Sequence, residues 1–130
     1  MILTCLPVEC RVLAGMITDR DILALCDDVE SSDFVEMRHV TVLYGIRAVQ
    51  ERGERICAES VADAVQQLAL DWGAVAMAEK VDTAFIESLI AKAPPGGLRT
   101  IRRDVARLRS DREFRERIYA ANLKSLQESR

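Results

Sequence analysis

The feature that most constrains this chain is a break followed by a long uninterrupted run. Ala93-Pro94-Pro95-Gly96-Gly97 is its densest cluster of proline and glycine, and the 33 residues from 98 to 130 contain neither type. Proline and glycine interrupt helices, so a run without them favours helix. The sequence therefore predicts a head over residues 1–95 and a tail over residues 96–130, within one structural domain overall.

One motif predicts that the tail folds back on itself. Ser110-Asp111-Arg112-Glu113 has the spacing of a capping box, in which a serine and a glutamate cap the start of a helix reciprocally. A single helix over the whole tail would be roughly 50 Å long. We therefore expect two tail helices that form a hairpin, with the capping box opening the second one.

Apolar residues in the head recur at helical spacing, without sustained alternation of apolar and polar residues. Residues 36–52 are apolar around most of the helical surface, which predicts a buried central helix ended by Gly53. Thr18 with Asp21 resembles a capping pair for a short second helix, and Asp82 is a candidate cap for a later one. The predicted fold class is all-α: a helical globular head followed by a C-terminal helical hairpin.

Charge is divided unevenly between head and tail. The 130-residue chain is 49% hydrophobic and 30% charged, with a net charge of −3, a balance that fits a folded protein. Residues 1–97 hold 8 basic and 16 acidic residues, whereas residues 98–130 hold 10 basic and 5 acidic residues, giving −8 and +5. The asymmetry indicates a basic tail for nucleic acid or complementary faces that meet in an assembly.

The tail carries more apolar stripes than one hairpin can bury. A two-helix hairpin covers one stripe per helix, so the additional stripe on the second predicted helix needs either the head or another subunit. We expect self-association, although packing of both stripes within one chain remains an alternative. The predicted oligomerisation or partner-binding residues are Ile101, Val105, Leu108, Phe114, Ile118, Tyr119, Leu123 and Leu126.

The cysteines give no sign of a metal site or of disulfides. Cys5, Cys10, Cys26 and Cys57 form no CxxC pair, and the single histidine, His39, is not near them in sequence, so a zinc site is not expected. Each cysteine is expected to be a small buried hydrophobe. No signal peptide is evident, and no apolar run reaches the ~18 residues of a membrane span. We expect a cytoplasmic protein that needs no cofactor.

Basic residues of the tail could track phosphates. Acidic residues are interleaved with them, and aromatic residues for stacking on bases are few. We therefore favour a solvated face or docking to an acidic partner over direct DNA binding, which stays possible. The candidate electrostatic contacts are Arg102, Arg103, Arg107 and Arg109.

Several short motifs follow one another in a definite order. Leu6-Pro7-Val8-Glu9 leads to Val12-Leu13-Ala14-Gly15, then come Asp33-Phe34 and His39, and a polar-Gly turn ends at Gly53. Residues 103–109 read RDVARLR. The order resembles the N-terminal domain of DnaB-type replicative helicases, with its "LP…E…VLG" opening and its "A.IVR.R" hairpin helix. The resemblance covers residues 6 to about 126. It departs at Pro95-Gly96-Gly97-Leu98, where the family usually has small residues ending in Asn.

That resemblance implies a helical head with a hairpin. In the family, hairpins pair into dimers, and three dimers form a ring collar that receives the helicase-binding domain of primase. We therefore expect a non-catalytic module of DNA replication that binds itself and a replicative helicase, a primase or a helicase loader, as a stand-alone phage or accessory regulator. The alternatives are a collar domain cut from a full-length helicase and a small basic-tailed DNA-binding protein.

Catalysis is not expected from this sequence. No Gly-Lys-Ser/Thr motif occurs, so no phosphate-binding loop can be assigned, and the family's ATP hydrolysis does not carry over. His39 could act as a general base, but no nucleophile or oxyanion donor can be assigned around it. We favour a structural histidine near the start of a helix, where it holds a loop by hydrogen bonds.

Overall fold

The computed structural model describes residues 6–94 and 96–128, and within these ranges its regular secondary structure is all helical, with no strand. The all-α prediction is confirmed. A short 3-10 helix (Ser31–Asp33) separates the second and third α-helices. The α-helices are α1 (Leu6–Thr18), α2 (Arg20–Leu25), α3 (Met37–Arg52), α4 (Ala58–Asp71), α5 (Val75–Glu79), α6 (Thr83–Lys92) and α7 (Leu98–Glu128).

The hydrophobic core lies where α1, α3, α4 and α6 meet. Helix α3 contributes Ile46 and Val49, which are fully enclosed, but its Met37 and Tyr44 are 68% and 36% exposed. The prediction that α3 is buried around most of its surface is therefore wrong, because one side of the helix faces water. Helices α3 and α4 approach closely because Gly45 has no side chain. A Cβ at Gly45 would lie 2.8 Å from Cγ2 of Val65 and 2.9 Å from the carbonyl oxygen of Val61. The core thus depends on a small residue at the crossing of its two largest head helices.

Most helix ends in the head follow local sequence signals. Asp82 caps α6 by accepting the backbone N–H of Phe85 at 2.8 Å, and Gly53 ends α3 in a left-handed conformation with φ of 67°, both as predicted. The cap of α2 is Asp19, whose Oδ1 accepts the N–H of Asp21 at 2.8 Å. The predicted Thr18 cap is therefore wrong, because the Thr18 hydroxyl donates back to a carbonyl of α1.

The tail is a single helix, so the predicted hairpin is wrong. Helix α7 runs for 31 residues and continues through residues 110–113, where the capping box predicts a break. Arg107 pairs with Asp111 at 3.2 Å, and Arg112 lies 3.8 Å from Glu116, each pair being four residues apart. Such pairs stabilise a continuous helix. No Gly or Pro interrupts the segment, so the backbone hydrogen bonds of the helix continue through the motif.

The first three turns of α7 belong to the core of the head. Ile101, Val105 and Leu108 are 0%, 8% and 2% exposed and join one buried cluster as α7 packs on α1 and α2. Arg11 of α1 adds a polar link, because its guanidinium donates to both carboxylate oxygens of Asp104 at 2.9 and 3.0 Å. Head and tail therefore share one hydrophobic core.

Two sequence interpretations concern residues outside the described ranges, namely the burial of Cys5 and the place of Pro95 in the turn before α7. Helix α6 ends at Lys92 and α7 begins at Leu98. Within residues 6–94 and 96–128, no helix combines the length and the apolar character that crossing a membrane requires.

Candidate interaction surface

Two arginines fasten α7 to the head at the level of the 3-10 helix. Nη1 of Arg112 lies 2.9 Å from Oδ1 of Asp33, which is buried, and 3.5 Å from Oε2 of Glu30. Nη2 of Arg115 donates to the carbonyl oxygen of Ser32 at 3.2 Å. A buried carboxylate is costly without a cation beside it, and the guanidinium of Arg112 supplies that cation. The contact is an ion pair without a well-formed hydrogen bond, since Oδ1 of Asp33 and Nε of Arg112 have no hydrogen-bond partner among the described residues.

A further ion pair lies one turn earlier, where Nη2 of Arg109 is 2.5 Å from Oδ2 of Asp28. The hydrogen bond from Arg109 lowers the pKa of Asp28 below its ordinary value of 3.8, and the same bond raises the pKa of Arg109. Asp28 is largely exposed and Arg109 is partly exposed, so water screens their attraction. Basic residues of α7 thus meet acidic residues of the same chain's head, which accounts for part of the uneven charge distribution.

Beyond this junction α7 extends away from the core. Every residue from 116 to 128 is exposed, and we call this range the projecting segment. Thirteen helical residues span roughly 20 Å. Large apolar side chains remain in contact with water there: Ile118, Tyr119, Leu123 and Leu126 are 43%, 69%, 44% and 64% exposed. An exposed apolar patch of this kind is typical of an interaction site.

The apolar residues of the projecting segment repeat the buried stripe of α7. Tyr119, Leu123 and Leu126 each follow a buried residue by 18 positions, the buried residues being Ile101, Val105 and Leu108 in the same order. Eighteen residues make five turns at roughly 3.6 residues per turn, so both sets lie on one face of the helix. The face that packs on α1 and α2 therefore continues past the head.

This geometry divides the eight residues predicted for oligomerisation. Ile101, Val105 and Leu108 pack in the core of their own chain rather than on a second tail helix, so they are not surface residues. The other five are exposed on α7. Phe114 and Ile118 lie on a different side of the helix from Tyr119, and the guanidinium of Arg117 lies 5.8 Å from the centre of the Phe114 ring.

The four candidate electrostatic residues also separate into two groups. Arg102 and Arg103 are exposed on the first turns of α7. Arg107 and Arg109 are in ion pairs with acidic residues of the same chain, Asp111 and Asp28. A phosphate would have to compete with these carboxylates, so the basic surface is smaller than the tail sequence indicates.

A second polar cluster in the head includes His39, at the start of α3. Its ring is buried, and Nδ1 donates to Oε1 of Glu9 in α1 at 2.8 Å. Glu9 also accepts the backbone N–H groups of Val35 at 3.0 Å and Glu36 at 3.4 Å. His39 thus helps to hold the loop before α3, as predicted. Burial lowers the pKa of His39, but hydrogen bonds with Cys10 and Glu9 outweigh it and raise the pKa to about 9.

The sequence does not indicate a nucleophilic residue type beside His39, yet the structure places a thiol there. The Sγ atom of Cys10 lies 3.5 Å from Nε2 of His39. The contact has no local sequence signal, because Cys10 and His39 are 29 positions apart in the chain. Among the described residues, no group of three or more His, Cys, Asp or Glu side chains is arranged to hold a metal ion.

The chain matches no protein-family model, no curated protein and no solved structure.

Proposed function

We propose that this protein is a non-catalytic helical interaction module that self-associates through the projecting segment. The observation that carries the proposal is the five-turn repeat along α7. Ile101, Val105 and Leu108 are covered by α1 and α2, whereas the equivalent face at Tyr119 and Leu123 is exposed. The segment of a second copy offers the same kind of apolar helical face, so two copies can cover each other.

Charge and apolar area both permit this pairing. The projecting segment carries two basic residues, Arg117 and Lys124, and two acidic residues, Glu116 and Glu128, so two copies do not repel each other by net charge. Covering a leucine-sized side chain contributes roughly 1.5–3 kcal/mol. Several such side chains from two copies can offset an association cost of roughly 4–15 kcal/mol. We expect a dissociation constant in the micromolar range, about −8 kcal/mol.

Sedimentation velocity over a range of concentrations tests self-association. The wild-type protein should be a dimer or larger at ~100 μM, and Leu123→Asp should be a folded monomer, because it places a charge in the contact. Leu70→Asp is the matched control: Leu70 is 67% exposed on α4, away from the projecting segment, so this variant should associate like wild type. A monomeric wild type at ~100 μM, or equal association of both variants, would contradict the proposal.

We further propose that the module acts in DNA replication, at a replicative helicase, a primase or a helicase loader. The support is the sequence resemblance to the N-terminal domain of DnaB-type helicases, together with one contact. Glu9 and His39 are both positions of that resemblance, and they bond to each other across 30 residues. A stand-alone accessory or phage regulator and the collar of a longer helicase both fit this proposal.

Binding to purified replication proteins tests the replication context separately. Fluorescence anisotropy of the labelled protein, titrated with a replicative helicase ring, with the helicase-binding domain of primase or with a loader, should show saturable binding to one of them at micromolar concentration. Leu70→Asp again serves as the control for a change remote from the projecting segment. Absence of binding to all three at ~100 μM, on the scale of weak specific complexes, would contradict this context and leave self-association to its own test.

A further inference from the structure

Cys10, His39 and Glu9 form a chain of contacts that the projecting segment does not use. The thiol of Cys10 contacts one ring nitrogen of His39, and the other ring nitrogen donates to the carboxylate of Glu9. That carboxylate is fixed in turn by a backbone N–H group. Glu9 is 1% exposed and His39 5% exposed, so neither group can turn away into water. This series of nucleophile, base and orienting group is the arrangement that activates thiols in proteins.

The thiol has access to a small cavity. Cys10 and His39 line a space of about 270 Å³ between α1, the start of α3 and α6. Two exposed basic residues, Arg38 and Lys92, also line it. The guanidinium of Arg38 lies over the ring of Phe85, 5.0 Å from its centre, and pairs with Glu36 at 2.8 Å. Partly exposed thiols in electropositive surroundings are the reactive ones.

We infer that Cys10 is a covalent modification site that undergoes thiol–disulfide exchange with small acidic disulfides entering this cavity. The thiol proton is held on Nε2 of His39 while the sulfur of Cys10 attacks one sulfur of the disulfide. The S–S bond of the disulfide breaks, a new S–S bond joins Cys10 to one half, and the departing sulfur receives the proton from Nε2 of His39. One thiol and one disulfide are consumed, and one mixed disulfide and one thiol are formed.

Two features support this chemistry and this class of partner. The raised pKa of His39, to about 9, means that the ring can carry a proton beside the sulfur at neutral pH. A cation next to a thiol favours the nucleophilic thiolate. Lys92, beyond the Arg38–Glu36 pair, adds a positive charge to the cavity lining that attracts carboxylate groups on an incoming disulfide.

Rates of modification at single cysteines test the inference. The chain carrying Cys5→Ser is treated with oxidised glutathione at pH 7, and mass spectrometry of its tryptic peptides, which separate the remaining cysteines, gives an initial rate at each. The reference is a synthetic peptide of residues 6–15. Cys10 in the folded chain should react at least ~10-fold faster than in the peptide. An equal or slower rate in the folded chain would show that the fold merely shields the thiol, and the inference would be wrong.

His39→Gln tests the role of the imidazole. The rate at Cys10 should fall to that of the peptide, while the rate at Cys57, near the start of α4, should not change. Cys26 reports on folding, because it is 0% exposed and burial raises its pKa to about 11. If Cys26 becomes reactive, the variant has unfolded, and the comparison of folded chain with peptide decides alone. A folded His39→Gln variant with the wild-type rate at Cys10 would overturn the inference.

Charge reversal at the cavity tests the class of disulfide. Lys92→Glu should slow the reaction of Cys10 with oxidised glutathione, which is acidic, and speed its reaction with cystamine, which is cationic. Lys80→Glu is the control, because Lys80 is exposed outside the cavity lining. If both variants behave alike, the preference for acidic disulfides is wrong. None of these rates depends on the proposed self-association, so the two proposals fail independently.

Discussion

Glu9 is the polar centre of the head. Its carboxylate accepts hydrogen bonds from the ring of His39 and from the backbone of Val35 and Glu36. Loop N–H groups need partners when they are buried, and here a side chain from α1 supplies them. One acid therefore positions the entry to α3 and the histidine that faces Cys10.

The protonation of His39 should make stability depend on pH. Its folded pKa of about 9 lies above the ordinary value of 6.5, so the stabilisation is fully present below pH 6.5 and is lost as pH rises towards 9. The difference in unfolding free energy between wild type and His39→Gln should shrink by about 3 kcal/mol over this range. Urea unfolding at several pH values measures it. A constant difference would mean that His39 is neutral in the folded protein.

At the scale of residues, the local sequence predicts where a side chain lies along its helix but not which distant residues it contacts. His39 was expected near a helix start with a structural role, and it lies there. Its partners Glu9 and Cys10 come from α1, about 30 residues earlier, and no periodicity or spacing within one helix reports such a contact. The caps Asp82 and Asp19 differ in this respect, since their bonds span two or three residues.

Helix α7 shows how an element can serve two environments. Its first turns carry Ile101 and Leu108 into the core, its middle bonds to the 3-10 helix through Arg112, and its end is exposed on all sides. Isolated helical turns are marginal in water. The projecting segment is therefore continuous with an anchored helix, and its helical order depends on that anchor.

Substitution of Ser110 should distinguish one helix from two. In a helix interior, Ser110→Ala should raise the unfolding free energy by up to roughly 0.5 kcal/mol, because alanine has the higher helix propensity. If Ser110 capped a second helix, the same change would cost about 1 kcal/mol. Ala106→Ser, at an exposed position one turn earlier, is the control and should lower stability by a similar amount. Chemical denaturation of both variants gives the signs, and destabilisation by Ser110→Ala would favour the hairpin.

The hairpin prediction was wrong because its signal was real but insufficient. A serine and a glutamate three residues apart can cap a helix, yet the same residues are tolerated within one when charged neighbours pair along it, as Arg107 does with Asp111. Ile101, Val105 and Leu108 do lie along one face of α7, as do Tyr119, Leu123 and Leu126. Their assignment to separate helices followed from the predicted break, and without it Ile101 and Tyr119 lie on the same face.

At the scale of the whole molecule, opposite charges meet where the tail packs on the head. The tail is basic and the head acidic, and the described ion pairs Arg109–Asp28 and Arg112–Asp33 join the two within one chain. The sequence indicates either a basic tail for nucleic acid or complementary faces that meet in an assembly, whereas these ion pairs lie within one chain. Their position follows from the course of α7, which brings its arginines next to the 3-10 helix.

Two truncations should separate folding from association. A chain ending at residue 116 loses most of the projecting segment and keeps the core and the Arg112 contact, so its melting temperature at low concentration should be near that of the full chain, and it should be monomeric. A chain ending at residue 108 removes Arg112 and leaves buried Asp33 without its cation, which should cost about 3–5 kcal/mol. Calorimetry and sedimentation measure both. Unfolding of the chain that ends at residue 116 would show that residues 117–130 contribute to the core.

The five-turn repeat in α7 also fixes a rotational phase. Because the helix is continuous from Ile101 to Leu126, the azimuth of the exposed stripe about the helix axis is set by the number of residues that separate it from the core. Inserting one residue after residue 116 would turn the distal stripe by roughly 100°, whereas inserting seven would turn it by only about 20° and move it outward by roughly 10 Å. The head of each copy therefore determines the side of α7 on which its partner must lie. Because α7 is one continuous helix, it fixes both the direction of the exposed stripe and its distance from the head.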